Sequence, residues 1–191
     1  MEERDLLIEN ILNNKTKAKK KVDGKNKGDR TERNLCTLLS EHFKAKFTKA
    51  PGSGAFATTH KNLPEHAKKT LTGDICGPEK FKWVIESKGG YEKDIDLANA
   101  IDGSPIPRLD EFIEQSSRDA EYCGRKPIIL WKRNRKPWLA LLKYEDLLED
   151  LSDSQGEFED NTPYRFYYRE WVMVSLDYLL KITEKDFWFD K

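Results

Sequence analysis

Three charged side chains in one stretch of the sequence have the types and spacing of a reactive site. Asp74 lies in the segment TGDIC, and Glu86 and Lys88 lie two residues apart in FKWVIESKGG. Since side chains alternate between the two faces of a strand, Glu86 and Lys88 share a face and can meet Asp74 across a strand pair. Two carboxylates and an ammonium group would then converge at a strand edge.

This set of groups suits the hydrolysis of a phosphodiester bond. Carboxylate oxygens are the protein ligands that Mg²⁺ prefers, together with water and a substrate phosphate. A bound metal would lower the pKa of its water and neutralise charge on the phosphodiester, while Lys88 orients the nucleophile or offsets that charge. The alternative is that Glu86 and Lys88 line a solvated strand face. The strand is otherwise Phe, Trp, Val and Ile, which favours a site because Glu and Lys are poor strand formers.

The elements that must position these residues follow from the spacing of the apolar residues. A helix is predicted from Asp29, which can cap it, to about Ala45. Two strands are predicted at residues 71–76 and 81–88, with a Gly-Pro turn between them. These two strands carry the charged set.

The rest of the chain continues to alternate helices with strands. The predicted elements are a helix at 109–123, buried strands at 127–131 and 137–142, a helix near 144–151 and an aromatic strand at 164–174. This order indicates an α/β fold with a central mixed β-sheet flanked by helices. For Gln115, on the first of these helices, the simplest alternative to a functional role is that of a surface residue.

Length and composition place these elements in one domain. With 191 residues, of which 37% are hydrophobic and 11% aromatic, the chain can bury one sizeable core. Residues 15–28 form a polar, lysine-rich run that cannot bury enough apolar surface to offset its ordering entropy. We therefore predict an N-terminal basic tail and linker at 1–28. The domain follows at 29–191, with a C-terminal extension at 144–191.

Charge is distributed unevenly along the chain. The 34 basic and 34 acidic residues cancel, but residues 1–70 hold 16 basic and 9 acidic side chains, so the acidic excess lies in the remainder. A basic front suits an anionic partner. No apolar run reaches ~18 residues and no signal-peptide pattern is seen, so neither a membrane nor secretion is expected. Three cysteines without CxxC spacing fit a reducing cytoplasm better than a disulfide framework or a zinc site.

The order of these motifs resembles that of the PD-(D/E)XK nuclease superfamily. A Gly-Asp strand followed by a Glu-X-Lys strand, here GDIC and VIESK, is similar to its signature. The helix segment GDRTERNL places Glu32 where these enzymes carry an acidic metal-site residue. The loop KAPGSGAF resembles that of archaeal-type Holliday junction resolvases and similar phage nucleases, which place a serine, here Ser53, near the scissile phosphate. The resemblance continues through the helix with Gln115 and the strand IILWK, so it spans about residues 29–143.

The resemblance implies a fold, a metal and a mechanism. It implies a restriction-endonuclease-like core and a Mg²⁺-dependent DNA endonuclease, with Mn²⁺ able to substitute, that acts on the branched intermediates of DNA recombination. The implied metal ligands are Glu32, Asp74, Glu86 and the main-chain carbonyl of Ser87. Lys88 would position the attacking water, and Ser53 would contact the phosphate. Resolvases of this type are similar in working as homodimers, because two symmetric nicks need two sites. The expected setting is the cytoplasm, which for a phage-encoded enzyme is that of a bacterial host.

A basic turn gives a second hypothesis about DNA. The residues between the strands at 127–131 and 137–142 include four cations, which would contact phosphates irrespective of base sequence. They are Lys132, Arg133, Arg135 and Lys136. Lys132 is equally well explained as a strand-end lysine that reaches solvent. Two other functions stay open at this point: a nuclease of the same superfamily that cuts duplex DNA in restriction or repair, and a DNA-binding module that does not cleave.

Overall fold

One mixed sheet organises residues 24–51, 63–153 and 165–191, which are the residues that this computed structural model describes. Its strands are β1 (Thr48–Lys49), β2 (Ile75–Cys76), β3 (Trp83–Gly89), β4 (Lys126–Lys132), β5 (Trp138–Lys143), β6 (Phe166–Tyr168) and β7 (Trp171–Ser175). Their order across the sheet is β1-β2-β3-β4-β5-β7-β6. β3 and β4 are parallel, and the other neighbours are antiparallel. The predicted α/β fold with a central mixed sheet is confirmed.

Helices cover both faces of this sheet. They are α1 (Gly24–Phe43), α2 (Glu65–Leu71), α3 (Pro107–Cys123), α4 (Tyr144–Asp153), α5 (Leu176–Ile182) and α6 (Lys185–Trp188). α1, α5 and α6 pack on one face and α3 packs on the other. α3 also connects β3 to β4, because parallel strands need a crossover rather than a hairpin. Among the helices of the described segments, none is long and apolar enough to cross a membrane.

Side-chain alternation decides what each face of the central strands touches. In β4, Ile128 and Leu130 pack with α1 and α5, whereas Ile129 and Trp131 pack with α3. All four are buried, which is typical of a strand covered by helices on both faces. β4 is therefore a well-packed central strand, and the adjacent strand β3, which carries Glu86 and Lys88, pairs with it along its whole length.

β3 carries its charged residues on the face that α3 covers. Trp83 and Ile85 pack in the cluster that contains α1, whereas Val84 packs against α3. By the same alternation, Glu86 and Lys88 lie on the α3 side. Their shared face, expected from the sequence pattern, is present in the structure.

The start of the fold differs from the prediction. α1 begins at Gly24 rather than at Asp29, so residues 24–28 of the predicted linker are helical. Asp29 lies inside the helix, where its carboxylate forms ion pairs with Lys49 of β1 and with Arg33 one turn later. A tertiary ion pair has taken the place of the predicted helix cap.

The first of the two site strands is shorter than predicted. The pattern indicates a strand over residues 71–76, but α2 extends to Leu71 and β2 has two residues. The cause is Gly73, whose φ of +83° turns the chain between them. A Cβ at this position would lie 2.8 Å from the main-chain oxygen of Ile85, so the turn requires glycine.

The C-terminal extension adds strands to the same sheet. The aromatic strand predicted at 164–174 is, in its described part, the β6–β7 hairpin, which turns at Arg169 with a φ of +53°. β7 pairs with β5, so the extension continues the sheet from its centre to one edge. The short helices α5 and α6 were outside the sequence prediction, and they complete the face that α1 covers.

The extension also reaches back to β3. The indole N–H of Trp83 donates a hydrogen bond to the main-chain oxygen of Phe187 at 2.9 Å, and Phe81 forms a β-bridge with Phe189. Phe81 and Trp188 stack with ring centroids 6.2 Å apart. The start of β3 is therefore held by residues about a hundred positions later in the chain.

We predict that Gly73→Ala destabilises the fold more than an ordinary glycine substitution does. A positive φ costs alanine about 1–2 kcal/mol, and the clash with the main chain of Ile85 adds about 1–3 kcal/mol. Gly103→Ala is the matched control, because Gly103 has a φ of +78° and open space around its Cα. Urea unfolding of both variants measures the difference. Equal losses of stability would show that the close approach to Ile85 is unimportant.

Candidate active site

Two buried carboxylates lie opposite each other where β2 meets β3. The pairing of Ile75 with Ile85 places Asp74 opposite Glu86, and the two residues are only 7% and 4% exposed. The side chain of Asp74 is fixed by the main-chain N–H of Ser87, which donates to Asp74 Oδ2 at 2.8 Å. Its main chain is fixed as well, since its N–H donates to the Ile85 oxygen at 2.9 Å.

The electrostatics of this pair are unfavourable when both groups are charged. Burial raises the pKa of Asp74 well above its ordinary value, and the neighbouring charge of Glu86 raises that pKa further. Burial also raises the pKa of Glu86, although the ammonium group of Lys88 opposes this shift. Two buried carboxyls that repel each other retain a proton or require a cation between them.

Lys88 supplies one positive charge, and Gln115 holds it in place. Lys88 Nζ lies 2.5 Å from Glu86 Oε1 and donates a hydrogen bond to Gln115 Oε1 at 2.9 Å. Gln115 Nε2 donates to the same Glu86 oxygen at 2.7 Å. The three side chains form a closed triangle of hydrogen bonds, and the ammonium group rests 4.8 Å from the ring centroid of Phe112.

Gln115 is a site residue to which the sequence pattern assigned no role. It lies on α3 three residues after Phe112, at the border of the buried stripe, and it is partly buried rather than exposed. A long polar side chain one helical turn from a buried aromatic ring is a weak signal that helix spacing could have provided. Only the packing of α3 over β3 turns that spacing into a contact with Glu86 and Lys88.

A third carboxylate adds to the negative field around this triangle. Asp119 lies one helical turn after Gln115 on α3, and its charge raises the pKa of Glu86. Burial raises the pKa of Asp119 itself, while the charges of Arg118 and Lys88 oppose that shift. The single ammonium group of Lys88 thus faces several carboxylates, and this excess of negative charge favours a divalent cation.

Glu32 approaches the pair from α1, but a lysine holds it. Its side chain is 12% exposed, and its Oε2 lies 2.8 Å from Lys49 Nζ, which also pairs with Asp29. The charge of Glu32 contributes to the raised pKa of Asp74, so the two carboxylates sense each other. No group of three or more potential metal-ligating side chains is assembled within the described segments, and Glu32 would have to leave Lys49 to join one.

The contact between α1 and β3 sets the distance of Glu32 from the site. A Cβ on Gly89 would lie 3.1 Å from Thr31 Oγ1, which is tighter than ordinary van der Waals contact. The missing side chain at Gly89 therefore allows the helix residue next to Glu32 to pack directly on the end of the site strand.

The donor set of the pair fits a hard divalent cation. Asp74 and Glu86 provide buried carboxylate oxygens, and Ser87 follows Glu86 directly in β3. The N–H and C=O of a strand residue point to the same side of the strand. The Ser87 carbonyl therefore points to the side of β3 on which the Ser87 N–H donates to Asp74. On that side, Ile75 and Ile85 are the one residue pair between β2 and β3. The Ser87 carbonyl lies past this pair, so it is not part of the β2–β3 pairing. Carboxylates plus a main-chain carbonyl form an all-oxygen set of the kind that Mg²⁺ binds.

The four predicted phosphate-contacting cations lie at the same end of the sheet as Lys88. Gly89 pairs with Lys132, and the turn from Arg133 to Lys136 follows directly. Arg135 has a φ of +56° at a turn position that glycine favours, and its side chain is exposed. Ser53 and most of its loop lie in residues 52–62, outside the described residues.

Comparison with known proteins identifies the family. The profile of the family described as "Phage putative PDDEXK endonuclease" matches residues 23–189, which include all the strands and helices described above. The chain is also similar to Protein D14 of Escherichia phage T5, with 29% identity over 133 residues that cover 68% of this chain and 76% of that protein. No solved structure matches the chain. Because the family profile spans nearly the whole described fold, including Asp74, Glu86 and Lys88, the chain belongs to the phage PDDEXK endonucleases of the PD-(D/E)XK superfamily.

Proposed function

We propose that this protein is a metal-dependent endonuclease that hydrolyses phosphodiester bonds in branched DNA, in the manner of a Holliday junction resolvase. The observation that carries the proposal is the buried Asp74–Glu86 pair with Lys88 hydrogen-bonded to it. Family membership supports a nuclease, and PD-(D/E)XK nucleases generally use divalent metals. The choice of branched DNA rests on the loop that contains Ser53 and its resemblance to resolvase loops.

The proposed ligands of Mg²⁺, or of Mn²⁺ in its place, are Asp74, Glu86 and the main-chain carbonyl of Ser87. Glu32 is the candidate for an additional ligand once it separates from Lys49. When bound, the metal would supply a water of lowered pKa and positive charge near the phosphodiester. The burial of the pair excludes bulk water, which strengthens every electrostatic interaction in the site.

The remaining site residues are proposed to act on water and phosphate. Lys88 orients the attacking water, and Gln115 keeps the ammonium group of Lys88 at Glu86 instead of allowing it to swing toward solvent. Ser53 is proposed to contact the scissile phosphate. A homodimer would supply two such sites for two symmetric nicks. The phage origin of the family fits an enzyme that acts on DNA inside a bacterial host.

The direct test is a cleavage assay with Mg²⁺ on four DNA substrates: a four-way junction, a flap, a linear duplex and a single strand. We expect the junction to be cut fastest. Asp74→Asn and Glu86→Gln should each lower the rate by at least about 100-fold, since each removes charge that holds the metal. Affinity for DNA should be kept or improved, because a carboxylate that repels phosphate is gone.

Glu121→Gln is the matched control for these variants. Glu121 is an exposed residue of α3, and its substitution removes the same charge away from the site. Its cleavage rate should equal that of the wild type. A near wild-type rate in Asp74→Asn or Glu86→Gln would contradict the assignment, and fastest cutting of the linear duplex would replace the resolvase proposal with that of a duplex-specific nuclease.

The raised carboxyl pKa values predict how metal-free protein responds to pH. A group whose pKa is higher in the folded state stabilises the fold at low pH, and this contribution is lost as pH rises through the folded pKa. In EDTA, the free energy of unfolding should therefore fall from pH 5 to pH 8, by at most about 1.4 kcal/mol per pH unit for each group, and the melting temperature should fall with it. Mg²⁺ should restore stability at pH 8, and Asp74→Asn should flatten the pH profile. A profile that Asp74→Asn leaves unchanged would show that other groups control it.

The basic turn predicts a uniform contribution to DNA affinity. Arg135→Gly removes one cation and also relieves a positive φ, so the fold should be as stable as the wild type or slightly more so. Affinity should fall by a similar factor for junction and duplex, and the slope of log K against log salt should decrease by about 0.9 on duplex DNA.

Lys44→Gly is the control for this variant because it changes charge and backbone in the same way at the other end of the sheet. Lys44 is exposed with a φ of +51°, and the neighbouring Phe43 packs against Phe81, before the start of β3. An equal loss of affinity in Lys44→Gly would mean that overall charge, and not the turn at Arg135, attracts DNA.

A further inference from the structure

Tyr91 has a main-chain conformation that tyrosine rarely adopts. It follows β3 directly after Gly90 and has a φ of +65°, a region that glycine enters freely and bulky residues avoid. Such strain persists only where surrounding contacts impose it, and it is concentrated at functional sites. The positive φ of Tyr91 must therefore be stabilised by contacts with neighbouring residues.

Contacts on both sides of Tyr91 hold it in this conformation. On one side, the N–H of Gly90 donates to the Lys132 oxygen at 2.9 Å, and the indole N–H of Trp131 donates to the Gly90 oxygen at 2.5 Å. On the other side, Glu92 accepts a hydrogen bond from the main chain of Asn134 in the basic turn. The residue is thus fixed between the end of the site strand and the turn that carries Arg133 and Arg135.

The ring of Tyr91 continues the row of groups that begins at Lys88. The ring packs edge-to-face on Phe112, with centroids 5.1 Å apart, and Phe112 in turn lies 4.8 Å from Lys88 Nζ. The guanidinium group of Arg108 lies 5.6 Å from the Tyr91 ring centroid. Despite these contacts, Tyr91 remains 38% exposed. An aromatic ring that is held by its neighbours, partly exposed and adjacent to a guanidinium group is suited to a flat, apolar group attached to a phosphate.

We propose that Tyr91 is a stacking platform for an unpaired base of the DNA strand in the site. Aromatic side chains bind bases through their faces without regard to base identity, while the neighbouring cations contact the phosphates. A base inside a continuous duplex is already stacked on both sides, so this contact is available only where stacking is interrupted. The proposal rests on the proposed nuclease function and deepens it, since it makes DNA with an unstacked nucleotide the preferred substrate class.

The test measures stacking without cleavage. DNA that carries 2-aminopurine at an unpaired position is titrated with protein in EDTA, where stacking on an aromatic ring quenches the fluorescence of this base. Wild type and Tyr91→Phe should quench it. Tyr91→Asn should not, and its affinity for this DNA should fall by about 5- to 150-fold, as expected for the loss of one base–aromatic contact. Affinity for a continuous duplex should change less than twofold.

The variants are chosen so that a folding defect cannot imitate the result. Asparagine tolerates a positive φ better than other side chains, and Tyr91→Gly provides a second ring-free variant that the backbone favours. Tyr122→Gln is the control, because Tyr122 is also 38% exposed but lies near the other end of α3, beside Lys68. It should bind as the wild type does.

The outcomes separate this proposal from the proposed function. Unchanged quenching and affinity in Tyr91→Asn and Tyr91→Gly would overturn the stacking site, and so would an equal loss of affinity for continuous duplex. If the wild type quenches 2-aminopurine through Tyr91 but cuts no DNA with Mg²⁺ or Mn²⁺, the stacking site stands and the nuclease proposal fails. If the wild type cuts DNA and Tyr91→Asn behaves like it, only the stacking site fails.

Discussion

Asp74 and Glu86 place two like charges side by side in the interior, and the surrounding structure has to stabilise them there. Removing a carboxylate from water is unfavourable, and placing a second one beside it adds repulsion. The fold accepts this because Asp74 is held at both its main chain and its side chain: its N–H bonds to β3, its carbonyl accepts from Ala50 at 2.8 Å, and its side chain accepts from the N–H of Ser87. The unfavourable electrostatics are therefore built into a rigid sheet, where a divalent cation would relieve them.

Two close approaches make this arrangement geometrically possible. Gly73 lets the chain turn against the main chain of Ile85, so that Asp74 lies directly before β2 and opposite Glu86. Gly89 lets α1 pack against the end of β3 and brings Glu32 within electrostatic reach of Asp74. From the opposite face, the crossover helix α3 supplies the amide of Gln115. Each layer of the fold thus contributes one component of the site.

Features of the fold that arise from local residue spacing could be predicted from the sequence, whereas features that arise from contacts between distant segments could not. The strand of Glu86 and Lys88 was predicted correctly because a period of two is a local property, and the helix at α3 was predicted within two residues for the same reason. The strand predicted at 71–76 is shortened to Ile75–Cys76. This shortening was not predictable, since the φ of Gly73 is imposed by contact with Ile85 in another strand.

Tertiary contacts explain the other differences. The ion pair of Asp29 with Lys49 crosses from α1 to β1, and the role of Gln115 depends on how α3 packs over β3. Spacing along one element cannot reveal either contact. The family profile added what spacing could not, because it placed the whole chain from residue 23 to residue 189 in one nuclease family.

The return of the C-terminal extension to β3 has a consequence for how the enzyme is made. Trp83 and Phe81, at the start of the site strand, are covered by residues about a hundred positions downstream, around Phe187. A ribosome that adds about 5–20 residues per second leaves this strand uncovered for roughly 5–20 s after it emerges. During that interval the first residues of the strand that carries Glu86 and Lys88 lack the partners that pack against them in the folded protein, so this part of the sheet is completed only late in synthesis.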